Sequence, residues 1–75
     1  MGEREEREEL LAAVIFDITE KQVVPKKDIK EIYVIKHSDG VYPFNYEVVL
    51  ELKNGTRTVY QWENENKTKV MISSS

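Results

Sequence analysis

The pattern that most constrains the fold of this chain is a predicted β-hairpin over residues 44–63. Apolar and polar side chains alternate from Tyr46 to Leu52, as expected of a strand with one buried face. Asn54 and Gly55 follow, and both tolerate the positive φ angles that a tight turn requires. A second strand-forming segment comes directly after this turn. The sequence therefore predicts two antiparallel strands, over 44–53 and 56–63.

The length of the hairpin loop decides which residues face each other. A two-residue loop would set apolar side chains against polar ones, for example Leu52 against Arg57. A three-residue loop, which is a type I turn ending in a left-handed Gly55, improves several cross-strand pairs together, and each such pair contributes about 0.2–1 kcal/mol. We therefore predict the second register. Its pairs are Leu52 with Thr56, Glu51 with Arg57, Val49 with Val59, Val48 with Tyr60 and Tyr46 with Trp62.

This register divides the hairpin into two faces. The face with the larger apolar side chains is predicted to form the core. We call the opposite side of the sheet the back face, and the register places Val49 and Val59 on it. The predicted core residues are Tyr46, Val48, Leu50, Leu52, Tyr60 and Trp62.

Residues 3–21 are predicted to form an amphipathic helix. Segment 14–19 alone is rich in residues that favour strands, so a strand there is an alternative. The helix is favoured because its apolar stripe is continuous and no turn residue interrupts it. Apolar residues recur at i, i+3, i+4 and i+7 in Leu11, Val14, Ile15 and Ile18, and Leu10 widens the stripe.

The remaining elements follow from turn residues and β-branched runs. Pro25 disfavours the helical conformation at the preceding residue and so ends the helix. Residues 29–36 are mostly apolar and β-branched, which predicts a strand, and 69–72 predict a short last strand. The expected fold class is α+β. A single domain over 1–75 has one N-terminal helix packed on an antiparallel meander of about four strands.

This order of elements, α-β-β-β-β, resembles that of cystatin-like and PepSY-like domains, in which a helix packs on a curved sheet. The resemblance lies in the order of elements alone. Cystatins bind proteases through a Gln-Val-Val-x-Gly hairpin in the middle of the sheet. Here Gln22-Val23-Val24-Pro25 lies at the helix end and lacks the glycine, so protease binding does not extend to this chain.

Composition argues against most kinds of chemical site. The chain has no cysteine and a single histidine, so we expect neither a disulfide nor a zinc site with four protein ligands. Glycines occur only at positions 2, 40 and 55, which leaves no phosphate-binding loop. The net charge of −3 has both signs interspersed, unlike the basic face of a nucleic-acid-binding protein. We therefore expect no enzyme activity, cofactor, metal, small-molecule substrate or nucleic-acid partner.

The segment Met1–Glu5 is charged, unlike a secretory signal, and no apolar run approaches the length of a membrane span. The expected location is therefore cytoplasmic by default, without membrane contact.

Two groupings of polar residues contain residue types that are used in catalysis. His37-Ser38-Asp39 contains the residue types of a hydrolase triad, but neighbours in a tight turn cannot adopt triad geometry. Glu47 and Glu51 share a strand face, yet they stand about 13 Å apart along the strand, which is too far for a glycosidase pair. Both groupings are interpreted as ordinary surface residues.

The strand over 29–36 carries apolar residues on both faces, although one helix can cover only one side of a sheet. Either Ile32 and Val34 or Tyr33 and Ile35 must therefore join the back face. We assign a candidate interaction surface on the back face, formed by Val49, Val59, Ile32 and Val34.

The expected function is a non-catalytic protein-interaction or self-associating module that uses this surface, with a homodimer as the simplest assembly. One alternative is that charged neighbours cover the patch with their aliphatic stems. Another is a designed domain without a natural biochemical function, because the Glu/Arg-rich first turn and the Asn-Gly hairpin are typical of designed sequences.

Overall fold

The polypeptide folds as one helix followed by a four-stranded sheet, and the computed structural model describes residues 2–22 and 24–74. The sheet is an antiparallel meander with strand order β1-β2-β3-β4. The predicted α+β class is confirmed. The elements are α1 (Glu3–Lys21), a 3-10 turn (Lys26–Asp28), β1 (Ile29–Lys36), β2 (Tyr46–Leu52), β3 (Arg57–Trp62) and β4 (Val70–Ser74).

Helix α1 begins at Glu3 and ends at Lys21, and the alternative strand over 14–19 is wrong. Acidic side chains occupy the first turn, where they interact favourably with the positive end of the helix dipole. The helix ends because Gln22 adopts a left-handed conformation with φ 52°, which stops the helical hydrogen-bond ladder. Val23, which lies in the predicted helix-ending segment, is outside the described residues.

The buried stripe of α1 is narrower than its apolar pattern. Leu10, Val14 and Ile18 are buried at spacing i, i+4, i+8. Leu11 is only half-buried, and Ile15 is 46 % exposed. The buried stripe is therefore displaced by one residue from the predicted apolar stripe. Leu11 and Ala13 beside this stripe still pack against the core, whereas Ile15 and Phe16 border open grooves.

The hairpin has the predicted three-residue loop. The Leu52 amide donates to the Thr56 carbonyl oxygen at 2.8 Å, and the Gly55 amide donates to the Leu52 carbonyl oxygen at 3.0 Å. Gly55 has φ 95°, a conformation that side chains with a Cβ rarely adopt. The observed pairs include Val48 with Tyr60, Val49 with Val59 and Glu51 with Arg57, as predicted.

The core lies between α1 and the helix-facing side of the sheet, and the predicted core face is confirmed. Leu52, also predicted, is only partly buried at the edge of this cluster. The buried cluster consists of Leu10, Val14, Ile18, Tyr46, Val48, Leu50, Tyr60 and Trp62.

Pairing between β1 and β2 decides which face of β1 is covered. Ile32 lies opposite Leu50 and Val34 lies opposite Val48, and both β1 residues pack against the core. Residues that lie opposite each other in an antiparallel pair point to the same face. The assignment of Ile32 and Val34 to the back face is therefore wrong.

Tyr33 pairs with Val49, and Ile35 pairs with Glu47, so these two β1 residues lie on the back face. An irregularity between Ile29 and Glu31 shifts the pairing, and both Ile29 and Ile32 pack against the core in consequence. Periodicity within β1 could not identify its covered face, because both faces are apolar.

The β1 strand has the predicted limits, 29–36, whereas the limits of β2, β3 and β4 differ from the predicted ones. The β2 strand starts at Tyr46 because residues 42–45 form a turn, in which Pro43 is buried. The last strand begins one residue later and continues to Ser74, beyond the predicted end at 72. This extension makes β4 a longer open edge than the sequence indicates.

Candidate functional site

The back face, where the sequence placed the candidate surface, is largely covered within one chain. Val49 at its centre is only 4 % exposed. Tyr33, Ile35 and Val59 around it are half-buried. The apolar centre of the back face therefore offers little free surface to a partner.

Ion pairs flank this centre on both sides. The Arg57 guanidinium donates to Glu51 Oε2 at 2.6 Å, and His37 Nε2 lies 2.7 Å from Glu47 Oε1. The hydrogen bond from Arg57 holds the pKa of Glu51 below its usual value. Glu47 and Glu51 thus each have a basic partner of their own. The imidazole of His37 bonds to Glu47 and does not form a triad with Ser38 and Asp39.

The contact with Glu47 raises the pKa of His37 above 6.5, because the carboxylate accepts a hydrogen bond from the imidazolium and attracts its charge. A raised pKa in the folded state means that the pair stabilises the fold fully below pH 6.5. This contribution is lost as the pH rises through the folded-state pKa. His37 is substantially exposed, so its effect on stability is expected to be modest.

We expect the free energy of unfolding to fall between pH 6 and pH 8, and the Glu47→Gln variant to lose this slope. Urea unfolding followed by Trp62 fluorescence at both pH values measures the difference. An equal slope in the wild type and the variant would show that the His37–Glu47 contact is not its source.

A second polar cluster joins the start of α1 to the sheet. The Tyr46 hydroxyl donates to Glu6 Oε1 at 2.8 Å, and the Arg7 guanidinium lies 5.9 Å from the Tyr46 ring centroid. Arg7 also forms an ion pair with Glu3 at 2.7 Å. Burial, followed by the bond to Glu6, raises the pKa of Tyr46 to about 12. The bond from Tyr46 to Glu6 links the start of β2 to the first turns of α1.

A third cluster joins the two loops beside α1. Lys67 Nζ donates to Glu9 Oε1 at 2.7 Å and to the Tyr42 hydroxyl at 2.6 Å. The bond to Glu9 is the main reason why the pKa of Lys67 is raised. Lys67 is therefore held as a cation, and the cluster fastens loop 63–69 to loop 37–45.

One open apolar surface lies along β4 and the adjacent side of α1. Phe16 is 65 % exposed, Ile72 is 53 % exposed and Met71 is 40 % exposed. Phe16 and Ile72 line a groove of about 850 Å³ between α1 and β4, and Val70 contributes to its floor. We call Phe16, Val70, Met71 and Ile72 the β4 edge surface.

The β4 edge surface has two properties that favour association. On the side of β4 away from β3, no strand of the described chain pairs with it, so backbone donors and acceptors remain free. The strand carries no charged residue from Val70 to Ser74. Natural sheets usually protect such an edge with charges, proline or a covering element.

The opposite edge of the sheet, β1, is protected. Lys30, Glu31 and Lys36 provide charges along it. The Arg7 guanidinium donates to the Val34 carbonyl oxygen at 3.2 Å. The His37 amide donates to the Asn45 carbonyl oxygen, so residues 37 and 45 form a hydrogen-bonded pair. Such pairs alternate along an antiparallel ladder, and Val34 therefore lies in a non-hydrogen-bonded pair. Its carbonyl points away from β2. An added strand at β1 would have to displace Arg7.

Sequence reasoning missed the β4 edge surface. The available signal was the uncharged run over 70–74, together with Phe16, which lies off the predicted helical stripe. What the sequence alone could not supply is the position of the last strand at an edge of the sheet, next to the side of α1 that carries Phe16.

Among residues 2–22 and 24–74, no group of three or more histidine, cysteine or acidic side chains is arranged to hold a metal ion. The one long helix in the described part of the chain is too polar to cross a membrane. No protein-family model, curated protein sequence or solved structure matches this chain.

Proposed function

We propose that this chain is a non-catalytic self-associating module, and that its association surface is the β4 edge surface. The observation that carries the proposal is the juxtaposition of an uncharged open strand edge with the exposed side chains of Phe16, Met71 and Ile72. Strand addition at such an edge supplies backbone hydrogen bonds, and flanking apolar side chains supply burial.

A second copy of the chain suits this surface because the surface is self-complementary. Two β4 strands meet without like charges, since neither carries a charge from Val70 to Ser74. The apolar residues of each copy then cover those of the other, as in an isologous twofold interface. The back face is not part of this proposal, because Val49 at its centre is already buried.

The protected β1 edge favours a closed assembly. Pairing through β4 leaves one β1 edge at each end of the joined sheet, and both ends carry Lys30, Glu31 and Lys36. Charged edges resist further strand addition. Association through β4 therefore stops at two copies instead of continuing into a filament.

The Ile72→Lys variant tests the proposal. We expect the molar mass of the wild type, measured by light scattering across a concentration series, to rise from 8.8 kDa toward twice that value. The variant should remain at the monomer mass, because its ammonium group would lose water at the joined edge. Ile72 is 53 % exposed, so the substitution should leave the fold intact.

Ile15→Lys is the matched control. It makes the same change at a similarly exposed isoleucine, 46 % exposed, which borders the groove on the β1 side of α1. We expect this variant to dimerise like the wild type. Association through β4 would be refuted if the wild type stayed monomeric at every concentration. It would also be refuted if Ile15→Lys disrupted the dimer and Ile72→Lys did not.

A further inference from the structure

The hydrogen-bond alternation along β4 identifies its free backbone groups. The Glu63 amide donates to the Lys69 carbonyl oxygen at 2.8 Å, which makes residues 63 and 69 a hydrogen-bonded pair. Such pairs alternate along an antiparallel ladder, so the next one is Gln61 with Met71. Val70 and Ile72 therefore lie in non-hydrogen-bonded pairs, and their N–H and C=O groups point away from β3.

A β-bulge limits the free groups to these two residues within β4. Tyr60 pairs with Ile72 while its neighbour Val59 pairs with Ser74, so Ser73 is the extra residue. The Ser73 hydroxyl donates to the Val59 carbonyl oxygen at 3.3 Å. A bulge interrupts the regular ladder, and the outward alternation ends after Ile72.

Three twofold registers would bring the outward residues of two β4 strands together, with the axis at Val70, at Met71 or at Ile72. An axis at Val70 would pair Ile72 with Thr68, which precedes the strand. An axis at Ile72 would pair Val70 with Ser74, which lies beyond the bulge. Only an axis at Met71 pairs each Val70 with Ile72 of the other copy.

We infer that two copies pair through antiparallel β4 strands with Met71 on the twofold axis, forming an eight-stranded sheet with both helices on one face. This inference rests on the proposed function, since it specifies the partner strand and its register. All four outward backbone groups of each strand are then hydrogen-bonded.

The side chains agree with this register. Val70 and Ile72 share the helix-facing side of the sheet, because they pair with Trp62 and Tyr60 of the core. Across the axis, each Val70 would lie opposite an Ile72 and complete the groove that Phe16 overhangs. The two Met71 side chains would meet on the back face. The groove between α1 and β4 is thus incomplete without residues of the second copy.

Single-cysteine variants test the register directly, because the wild type contains no cysteine. In the inferred register the two Met71→Cys residues form a non-hydrogen-bonded pair with Cα atoms about 4.5 Å apart, within the range of a disulfide. In the Val70→Cys variant, the two cysteines would be offset by two positions along the paired strands, and the same holds for Ile72→Cys. Their Cα atoms would stand about 8 Å apart, which is too far for a disulfide.

We expect Met71→Cys to form the disulfide-linked dimer at least ten times faster than Val70→Cys or Ile72→Cys in a glutathione redox buffer, as measured by non-reducing electrophoresis. Ile15→Cys provides the rate of random collision. Suppose that light scattering shows a dimer, but linkage is fastest at position 70 or 72 or equally fast at all three positions. That result would overturn this register and leave the proposed function standing.

A monomeric wild type, with Met71→Cys no faster than Ile15→Cys, would overturn both the register and the proposed function. Fast linkage of Met71→Cys alone supports the inferred axis. Because Met71 is 40 % exposed, its replacement by cysteine should not affect folding, and circular dichroism of each reduced variant checks this.

Discussion

Replacing Leu10 with alanine is expected to lower the free energy of unfolding by about 2–5 kcal/mol. Leu10 is fully buried in the cluster between α1 and the sheet, so its loss removes apolar contacts and leaves a cavity. A small domain has a total stability of about 5–15 kcal/mol, and this chain of 75 residues belongs near the lower end. The variant should therefore unfold at much lower urea concentration than the wild type.

Leu11→Ala is the matched control for this prediction. It makes the same change at the neighbouring position of the same helix, so the small gain in helix propensity is equal in both variants. Leu11 is only half-buried, and its loss should cost clearly less. Urea unfolding of both variants measures the difference, and an equal cost would mean that Leu10 is no better buried than Leu11.

The hairpin shows how far local sequence can predict strand pairing. Its register depends on local information, namely the turn residues Asn54 and Gly55 and the matching of side chains across the strands. The pairs of Val49 with Val59 and Glu51 with Arg57 follow from that information and are confirmed. Local patterns are sufficient here because the two strands are joined by the turn that sets their register.

The face of β1 is harder to predict because it depends on a non-local pairing. The sequence of β1 is apolar on both sides, so a shift of one residue relative to β2 exchanges its faces without an obvious change in pattern. The irregularity between Ile29 and Glu31 contributes to the observed register. For this reason the β1 sequence alone does not show that Ile32 and Val34 face the core.

The candidate surface could not be predicted for a related reason. Whether an apolar residue is exposed depends on the elements around it, and single exposed apolar residues are common in proteins. Val49 is covered by neighbours from two other strands, whereas Phe16 and Ile72 lie where no further strand follows β4 in the described chain. Exposure at a sheet edge is a property of the complete topology.

Val49→Lys is expected to lower the free energy of unfolding by about 2–3 kcal/mol, because burial of a valine side chain stabilises a fold by about 1.5–3 kcal/mol and the ammonium group must remain in water. Val49 is 4 % exposed and lies between Tyr33 and Val59 on the back face. The neighbouring carboxylates of Glu47 and Glu51 already pair with His37 and Arg57, so they are poor partners for the new charge.

The matched control is Val59→Lys, on the same face but half-buried, for which a smaller loss is expected. Unfolding of both variants should be measured at protein concentrations where light scattering shows a monomer, so that any loss comes from the fold and not from an interface. A Val49→Lys variant with wild-type stability that fails to dimerise at higher concentration would contradict this account. In that case the back face, and not β4, would be the association surface, because only an interface residue can abolish dimerisation without affecting the stability of the monomer.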